Sequence, residues 1–283
     1  MMKKILIIGI SMDCGGTEQA LLSMLRHMDL RRCDVTLLLA QREGRWLNRI
    51  PPEIRVISME DPGAKLFRLS SGHALRCAFE GALLPHPLRA FRLLPPLQRY
   101  LAAYRKDVRA RTAAATRLWI AMMAQMKPLP GVWDTAIAFW GDRTMFYLCD
   151  KVTAKRKIAW LHFDYDHPPR EDALYADYFA RCDRVITVSP VLCRKLRRRM
   201  PELADRFRAV ENFFDPAQIR ALAAQPDAPF YPDDGGEPRV LTVGRLCPQK
   251  GIDRIPYILA RLRQNGIRLR WYVIGEGERA FRA

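Results

Sequence analysis

A chain of 283 residues is long enough for two domains of roughly 100–200 residues each. A content of 49% hydrophobic and 10% aromatic residues excludes disorder along its whole length. Its apolar runs fall far short of the roughly 20 residues that span a bilayer. The formal charge of +17 points to anionic partners: nucleic acid, anionic lipid or phosphorylated substrates. Seven cysteines, none in a CxxC pair, fit reduced thiols in a cytoplasm and exclude a disulfide framework or a zinc finger.

Taken in chain order, 5–10 reads as a short buried strand. Lys3 and Lys4 before it superficially suggest a signal peptide, but the run is brief, Asp13 follows and no small-residue cleavage site appears. Gly15-Gly16 then opens a helix through Met28, with Leu21, Leu22, Met24 and Leu25 as its apolar stripe. Strands follow at 35–39 and 54–58. Three strands with one intervening helix begin a βαβ pattern, so a parallel sheet is expected.

Residues 64–130 interrupt that pattern with twelve Lys or Arg against only Glu80 and Asp107, a net of +10. From Leu97 to Met126, apolar residues recur at helical spacing with arginines between them. This predicts a basic amphipathic helix or helix pair, either docked on the core or lying on an anionic bilayer. Pro85, Pro87, Pro95 and Pro96 predict that helices in the preceding stretch are short or broken.

The sheet resumes at 135–139, 157–161 and 184–188. Ser189-Pro190 opens the next helix with a capping serine and a proline at its first position. That helix ends in the cationic 194–199 run, which suits a helix carboxyl terminus. Residues 224–238, with four prolines and two glycines, predict a linker. Beyond it come strand 240–243, a helix over 254–265 and strand 269–274. The domain boundaries are therefore 1–223, carrying the 64–130 insertion, then the 224–238 linker, then 239–283.

Arg245 and Lys250 follow Gly244 at the carboxyl end of strand 240–243, where ligands bind in open α/β sheets. A guanidinium fork and an ammonium point charge suit two neighbouring phosphates. The alternative is a solvated loop with incidental cations. Gly275-Glu276-Gly277 repeats the arrangement at the next strand end, as a donor loop or a plain turn. Gly15-Gly16-Thr17-Glu18 matches neither GxGxxG nor a P-loop. It reads as amides near a phosphate or acceptor, or as an ordinary glycine turn. His162 projects from a strand end, either toward a ligand or toward a loop carbonyl. Asp164, Asp166 and His167 extend it to His-x-Asp-x-Asp-His. An extended chain puts His162, Asp164 and Asp166 on one side and His167 on the other, so a metal site is the weaker reading.

In their order, Gly15–Glu18, Trp160-Leu161-His162, Ile186–Ser189, the 240–253 run and Ile274–Gly277 resemble the retaining glycosyltransferases of family 4. The resemblance implies the GT-B architecture: a Rossmann-like parallel-sheet N-domain plus an incomplete second Rossmann-like domain, since relatives continue past this point. It also implies retaining transfer of a sugar from a nucleotide-diphosphate sugar to a glycan or lipid-linked acceptor in surface polysaccharide synthesis. His162 then has a catalytic role. Gly244, Arg245, Lys250, Gly15 and Gly16 bind the donor diphosphate, and Gly275, Glu276 and Gly277 form the sugar loop. Thr17, Glu18 and Asp164 face the acceptor. No cofactor and no metal is implied. The location is cytoplasmic, peripheral to the inner face of the plasma membrane, and residues 1–283 alone are expected to transfer little sugar. A Rossmann epimerase or oxidoreductase lacks its glycine fingerprint here. A nucleic-acid binder lacks a recognition helix or exposed aromatics on a sheet face.

Overall fold

The computed structural model describes residues 2–60, 64, 67, 87–103, 106–212, 214–226, 236–247 and 250–277. The middle of the predicted linker (227–235), the expected helical turn at 278–283, Pro85 and most of 64–86 lie outside the described residues. The chain divides into two compact units, Met1–Pro216 and Ala217–Ala283.

The first unit is built on a seven-stranded sheet. Its strands are β1 (Lys3–Gly9), β2 (Cys33–Leu39), β3 (Arg55–Ser58), β4 (Val132–Ala138), β5 (Thr153–Leu161), β6 (Arg184–Thr187) and β7 (Phe207–Ala209). They lie in the order β3-β2-β1-β4-β5-β6-β7, every neighbouring pair parallel. Leu6, Ile7 and Ile8 are all fully buried because both faces of the sheet are covered. Alternate residues therefore serve different cores. Ile7 packs with Val35, Leu37 and Leu39 under α1 (Gly16–His27), through Leu21, Leu22 and Leu25. Leu6, Ile8, Ala136, Ala138, Ala159 and Leu161 face the larger core on the other side.

Five helices contribute to that second face: α2 (Pro87–Ala103), α3 (Val108–Met123), α4 (Asp142–Lys151), α5 (Asp172–Ala180) and α6 (Pro190–Arg199). Helix α3 starts where Asp107 accepts a hydrogen bond from Ala110 N at 2.8 Å. It buries Leu118, Trp119, Met122 and Met123. The Ser189 hydroxyl caps α6 by accepting from Leu192 N, with Pro190 in the first turn, as the sequence predicts.

The basic insertion is thus a helix pair docked on the sheet. One expectation fails: α2 runs unbroken through Pro95 and Pro96. A proline inside a helix costs about 3 kcal/mol. Against that, Leu93 is buried in the core and Leu97 and Tyr100 pack onto it, at about 1.5–3 kcal/mol for each apolar side chain buried. Tertiary burial outweighs local propensity.

The loop after β2 clamps the loop after β1. Met12 N donates to Glu43 O at 2.8 Å and Trp46 N to Met12 O at 2.9 Å. Gly44, at φ +120°, makes this possible, because a Cβ there would stand 2.2 Å from the Met12 carbonyl carbon.

In the second unit, β8 (Arg239–Val243) pairs in parallel with β9 (Arg270–Ile274), joined through α8 (Ile255–Gln264). Helix α7 (Pro216–Ala223) occupies the boundary between the units, ahead of the predicted linker. The β8–β9 sheet leaves Leu241 and Val243 exposed. A single βαβ element does not cover both faces of its sheet. Among the described residues, no helix is long and apolar enough to cross a membrane.

Gly44→Ala is expected to destabilise the protein by about 2–4 kcal/mol through backbone strain and the Met12 clash. Gly16→Ala, where a methyl meets nothing within 4 Å, should change stability by under about 0.5 kcal/mol. Urea unfolding of both variants checks the contrast.

Candidate functional site

In the first unit the strand order reverses between β1 and β4, and the crevice above such a point is where open α/β sheets bind ligands. The loops after β1 and β4 border it, and β5 delivers its last side chains alongside. Phe139, Trp160 and His162 form an aromatic cluster at this carboxyl edge. The His162 ring lies 4.5 Å from Phe139 and stacks at 17° on Trp160. Alternation along β5 puts Trp160 and His162 on the same face of the sheet. His162 Nε2 and Trp160 Nε1 are buried and have no hydrogen-bond partner. Burial alone pushes the His162 pKa down to about 4. The imidazole is therefore neutral at pH 7, able to donate or accept a hydrogen bond but holding no proton charge.

Residues 163–167 are turned, which corrects the extended alternation expected there. His167 is not on the opposite side from Asp164: its Nδ1 lies 2.9 Å from Asp164 Oδ2. Asp164 Oδ1 accepts from Asp166 N at 3.0 Å, the pattern of an Asx turn. Asp166 forms ion pairs with Lys195 and Arg199. These carboxylates are occupied by neighbours in the turn and by α6. Among the described residues no group of three or more His, Cys, Asp or Glu could hold a metal ion.

The residue that organises this loop escaped sequence reasoning. Arg170 is 5% exposed and donates to the carbonyls of Asp164 (2.8 Å), Tyr165 (3.0 Å) and Pro168 (3.0 Å). It also forks onto Asp142, Nε to Oδ1 at 3.2 Å and Nη2 to Oδ2 at 2.9 Å. Its guanidinium stands 3.9 Å over the Phe163 ring. Burial opposes its charge, but Asp142 more than offsets that, and the Arg170 pKa is raised. Asp142 opens α4 behind Gly141, which sits at φ +77°, ψ −155°, a region open essentially to glycine alone. A Cβ at Gly141 would also lie 2.4 Å from the Phe163 ring. The only advance signal was a Gly-Asp pair after an apolar strand.

At the other edge of the crevice, Gly15 is the N-cap of α1, with Gly16 exposed and Thr17 half-buried in its first turn. Glu18 is buried and folds back over Gly15, its Oε2 2.3 Å from where a Cβ would stand. Its carboxylate lies against the turn.

The second unit gathers its predicted residues at one place. Gly244 N donates to Ile274 O and Leu246 N to Glu276 O, each at 3.0 Å. The loops after β8 and β9 therefore run side by side. A Cβ on Gly275 would fall 1.8 Å from Gly244 O, and one on Gly277 2.1 Å from Leu246 O. The exposed Lys250 returns over this floor, its Cγ and Cδ 3.8 Å from the Cβ position of Gly244. Gly251, at φ +67°, then leads into the turn at Ile252–Arg254. Arg245 is exposed on the same loop. Gly275 and Gly277 thus let the two loops pack backbone against backbone, with Leu246 buried between them, while Arg245 and Lys250 stand exposed on the loop after β8.

No family model matches the chain, and no curated protein matches it in sequence. Solved structures of GT-B glycosyltransferases do resemble it. One is a mutant of S. aureus TarM in complex with Fondaparinux, alpha-GlcNAc-glycerol and UDP. It is similar at a TM-score of 0.52 and 10% identity, over 98% of this chain and 73% of that one. Anabaena HepE in complex with UDP-glucose aligns over 99% of this chain and 70% of that one, at 13% identity and a TM-score of 0.44. The catalytic domain of Arabidopsis thaliana starch synthase IV, bound to ADP and acarbose, aligns over 98% and 69% at 13% identity and 0.49. The TarM likeness shows the fold: α/β, Rossmann-like, of the GT-B type.

The pKa of His162 yields a pH prediction. The unfolded imidazole titrates near its ordinary value of 6.5 and the folded one at about 4. Between these pH values the unfolded chain binds the extra proton, so stability falls as pH falls through that window. His162→Gln should therefore lose less stability than wild type between pH 6.5 and pH 4, and match its slope above pH 7. Denaturant titrations across pH check this.

Proposed function

We propose that this chain is a glycosyltransferase acting on a nucleotide-diphosphate sugar with retention of anomeric configuration. The observation that carries the reading is in the second unit: Arg245 and Lys250 exposed on the loop at the carboxyl end of β8, which Gly275 and Gly277 let pack against the loop after β9. At a strand carboxyl end, these two cations neutralise a diphosphate. The likeness to TarM, itself solved with UDP, supports the same ligand class.

In the reaction, the bond from the sugar's anomeric carbon to the diphosphate oxygen breaks, the acceptor hydroxyl oxygen bonds to that carbon, and the hydroxyl proton passes to the departing diphosphate. Negative charge accumulates on the departing diphosphate. Arg245 and Lys250 stabilise it there, the type of interaction that contributes most where a charged group leaves. Glu276 lies between the two glycines of the sugar loop, placed to accept from sugar hydroxyls. Neutral His162 offers a ring nitrogen to a sugar hydroxyl, and Gly15, Gly16 and Thr17 present the start of α1 to a phosphate or acceptor. Glu18 and Asp164 stand at the acceptor side through the turns they hold. The proposed acceptor is a glycan or a lipid-linked sugar in surface polysaccharide synthesis.

A cytoplasmic protein resting on the inner face of the plasma membrane fits α2. Its inner side docks through Leu93, Leu97 and Tyr100. Leu94 and Leu101 are exposed along one edge of that docked face, and Arg92 and Arg99 along the other. Exposed leucines and arginines on one helix suit an anionic surface.

Calorimetric titration with UDP-glucose tests the donor seat. Arg245→Ala and Lys250→Ala should each weaken binding by about 10–100-fold with the circular dichroism spectrum unchanged. Binding that is indifferent to both substitutions sinks the assignment. For the membrane, sedimentation with anionic vesicles should fall as salt rises and fall further in Leu94→Ser/Leu101→Ser; binding insensitive to both removes the surface role.

A further inference from the structure

A cavity of about 420 Å³ opens between α3, the start of α4 and the loop after β5. Its volume is that of a small-molecule site. Tyr100, Trp119, Met122 and Phe146 supply an apolar wall. Arg111 and Arg143 supply the cations.

Most other polar side chains of the lining are already engaged. Thr112 donates its hydroxyl to Val108 O at 2.8 Å, and Thr116 donates to Thr112 O at 2.9 Å. Neither hydroxyl proton is left for a ligand. Asp142 accepts from Arg170 through both oxygens and from the Tyr175 hydroxyl at 2.8 Å. That carboxylate and Arg170 neutralise each other, so the cavity keeps a positive balance from Arg111 and Arg143. Arg143 is held in place, donating to Phe67 O at 2.9 Å and standing 5.8 Å over the Trp119 ring. Burial pushes its pKa down, with Asp142 and Tyr175 pulling it back only in part. An anion would relieve that penalty. No carboxylate pairs with Arg111 among the described residues.

We propose that this cavity binds an amphiphilic phosphate, its apolar body against Tyr100, Trp119, Met122 and Phe146 and its phosphate held by Arg111 and Arg143. Guanidinium groups match phosphate geometry, and an apolar wall of this size excludes a bare ion as the preferred ligand. Pro168, on the Arg170-held loop that follows His162, also lines the cavity. The cavity's description as the seat of a lipid-phosphate acceptor rests on the transferase reading, whereas the binding itself does not.

The test is calorimetric titration of the full chain with octyl phosphate below its micellar concentration, beside octanol and inorganic phosphate. Octyl phosphate should bind at least about tenfold more tightly than either control, since a hydrogen-bonded charge and a buried alkyl chain each contribute that much. Arg111→Ala, at an exposed position, should weaken it by about tenfold and leave folding intact. Ala115→Trp should fill the cavity and abolish binding, with thermal unfolding reporting that the variant is folded. Octanol binding equally well overturns the anion half of the proposal. Inorganic phosphate binding equally well overturns the apolar half. Octyl phosphate binding unaffected by Arg111→Ala overturns the location, even if Ala115→Trp does not fold. UDP-glucose titrated against the same preparations separates the two readings: its failure to bind wild type removes the transferase assignment and leaves this cavity untouched.

Discussion

The first unit depends on one buried cation. Arg170 ties three carbonyls of the loop after β5 to the carboxylate that opens α4, and Phe163 roofs it. A buried guanidinium is tolerated only when its donors are satisfied and its charge is met. Asp142 meets the charge, and the carbonyls take most of the remaining donors. The consequence is geometric. His162 leaves β5 immediately before a segment whose course is fixed at several points, and Gly141 lets α4 begin close enough to complete the network.

Electrostatics divides the chain's work between its units. In the first, the basic helices α2 and α3 combine a docked apolar face with exposed arginines, and charge there is partly neutralised, as where Arg117 pairs with Glu171. In the second, Arg245 and Lys250 stand exposed on the loop after β8. A surplus of +17 is therefore more than a solubility device. It includes arginines beside an apolar cavity and two cations at a parallel strand edge, both suited to phosphate esters. His162, kept neutral by burial, adds hydrogen bonding without adding to that charge.

Much of the fold was legible in advance because parallel strands buried on both faces read as short apolar runs. Strands β1, β2, β4, β5, β8 and β9 all stand at or near their expected places. So does α6, whose Ser189-Pro190 start is a local chemical signal. What was missed lacked such a signal. Strand β7 is three residues long, and α4 and α5 carry aromatics such as Phe146, Tyr175 and Phe179 that serve one shared core. Helix α2 ran against its own prolines because the core rewarded its Leu93 face.

From the chain alone came the α/β class, the expectation of a parallel sheet, the basic helical insertion, and the candidate positions at strand carboxyl ends: Gly15-Gly16, His162, Arg245 and Lys250, Gly275–Gly277. These are written in periodicity and local chemistry, which act over a few residues. The tertiary structure alone decided that Arg170 and Asp142 meet across 28 positions, and that Gly44 seats one loop on another. It alone decided that His162 is neutral, and that a cavity opens beside Arg111 and Arg143. Burial, close backbone approach and unlike charges brought together from distant positions are properties of three-dimensional packing, and no window of sequence contains them.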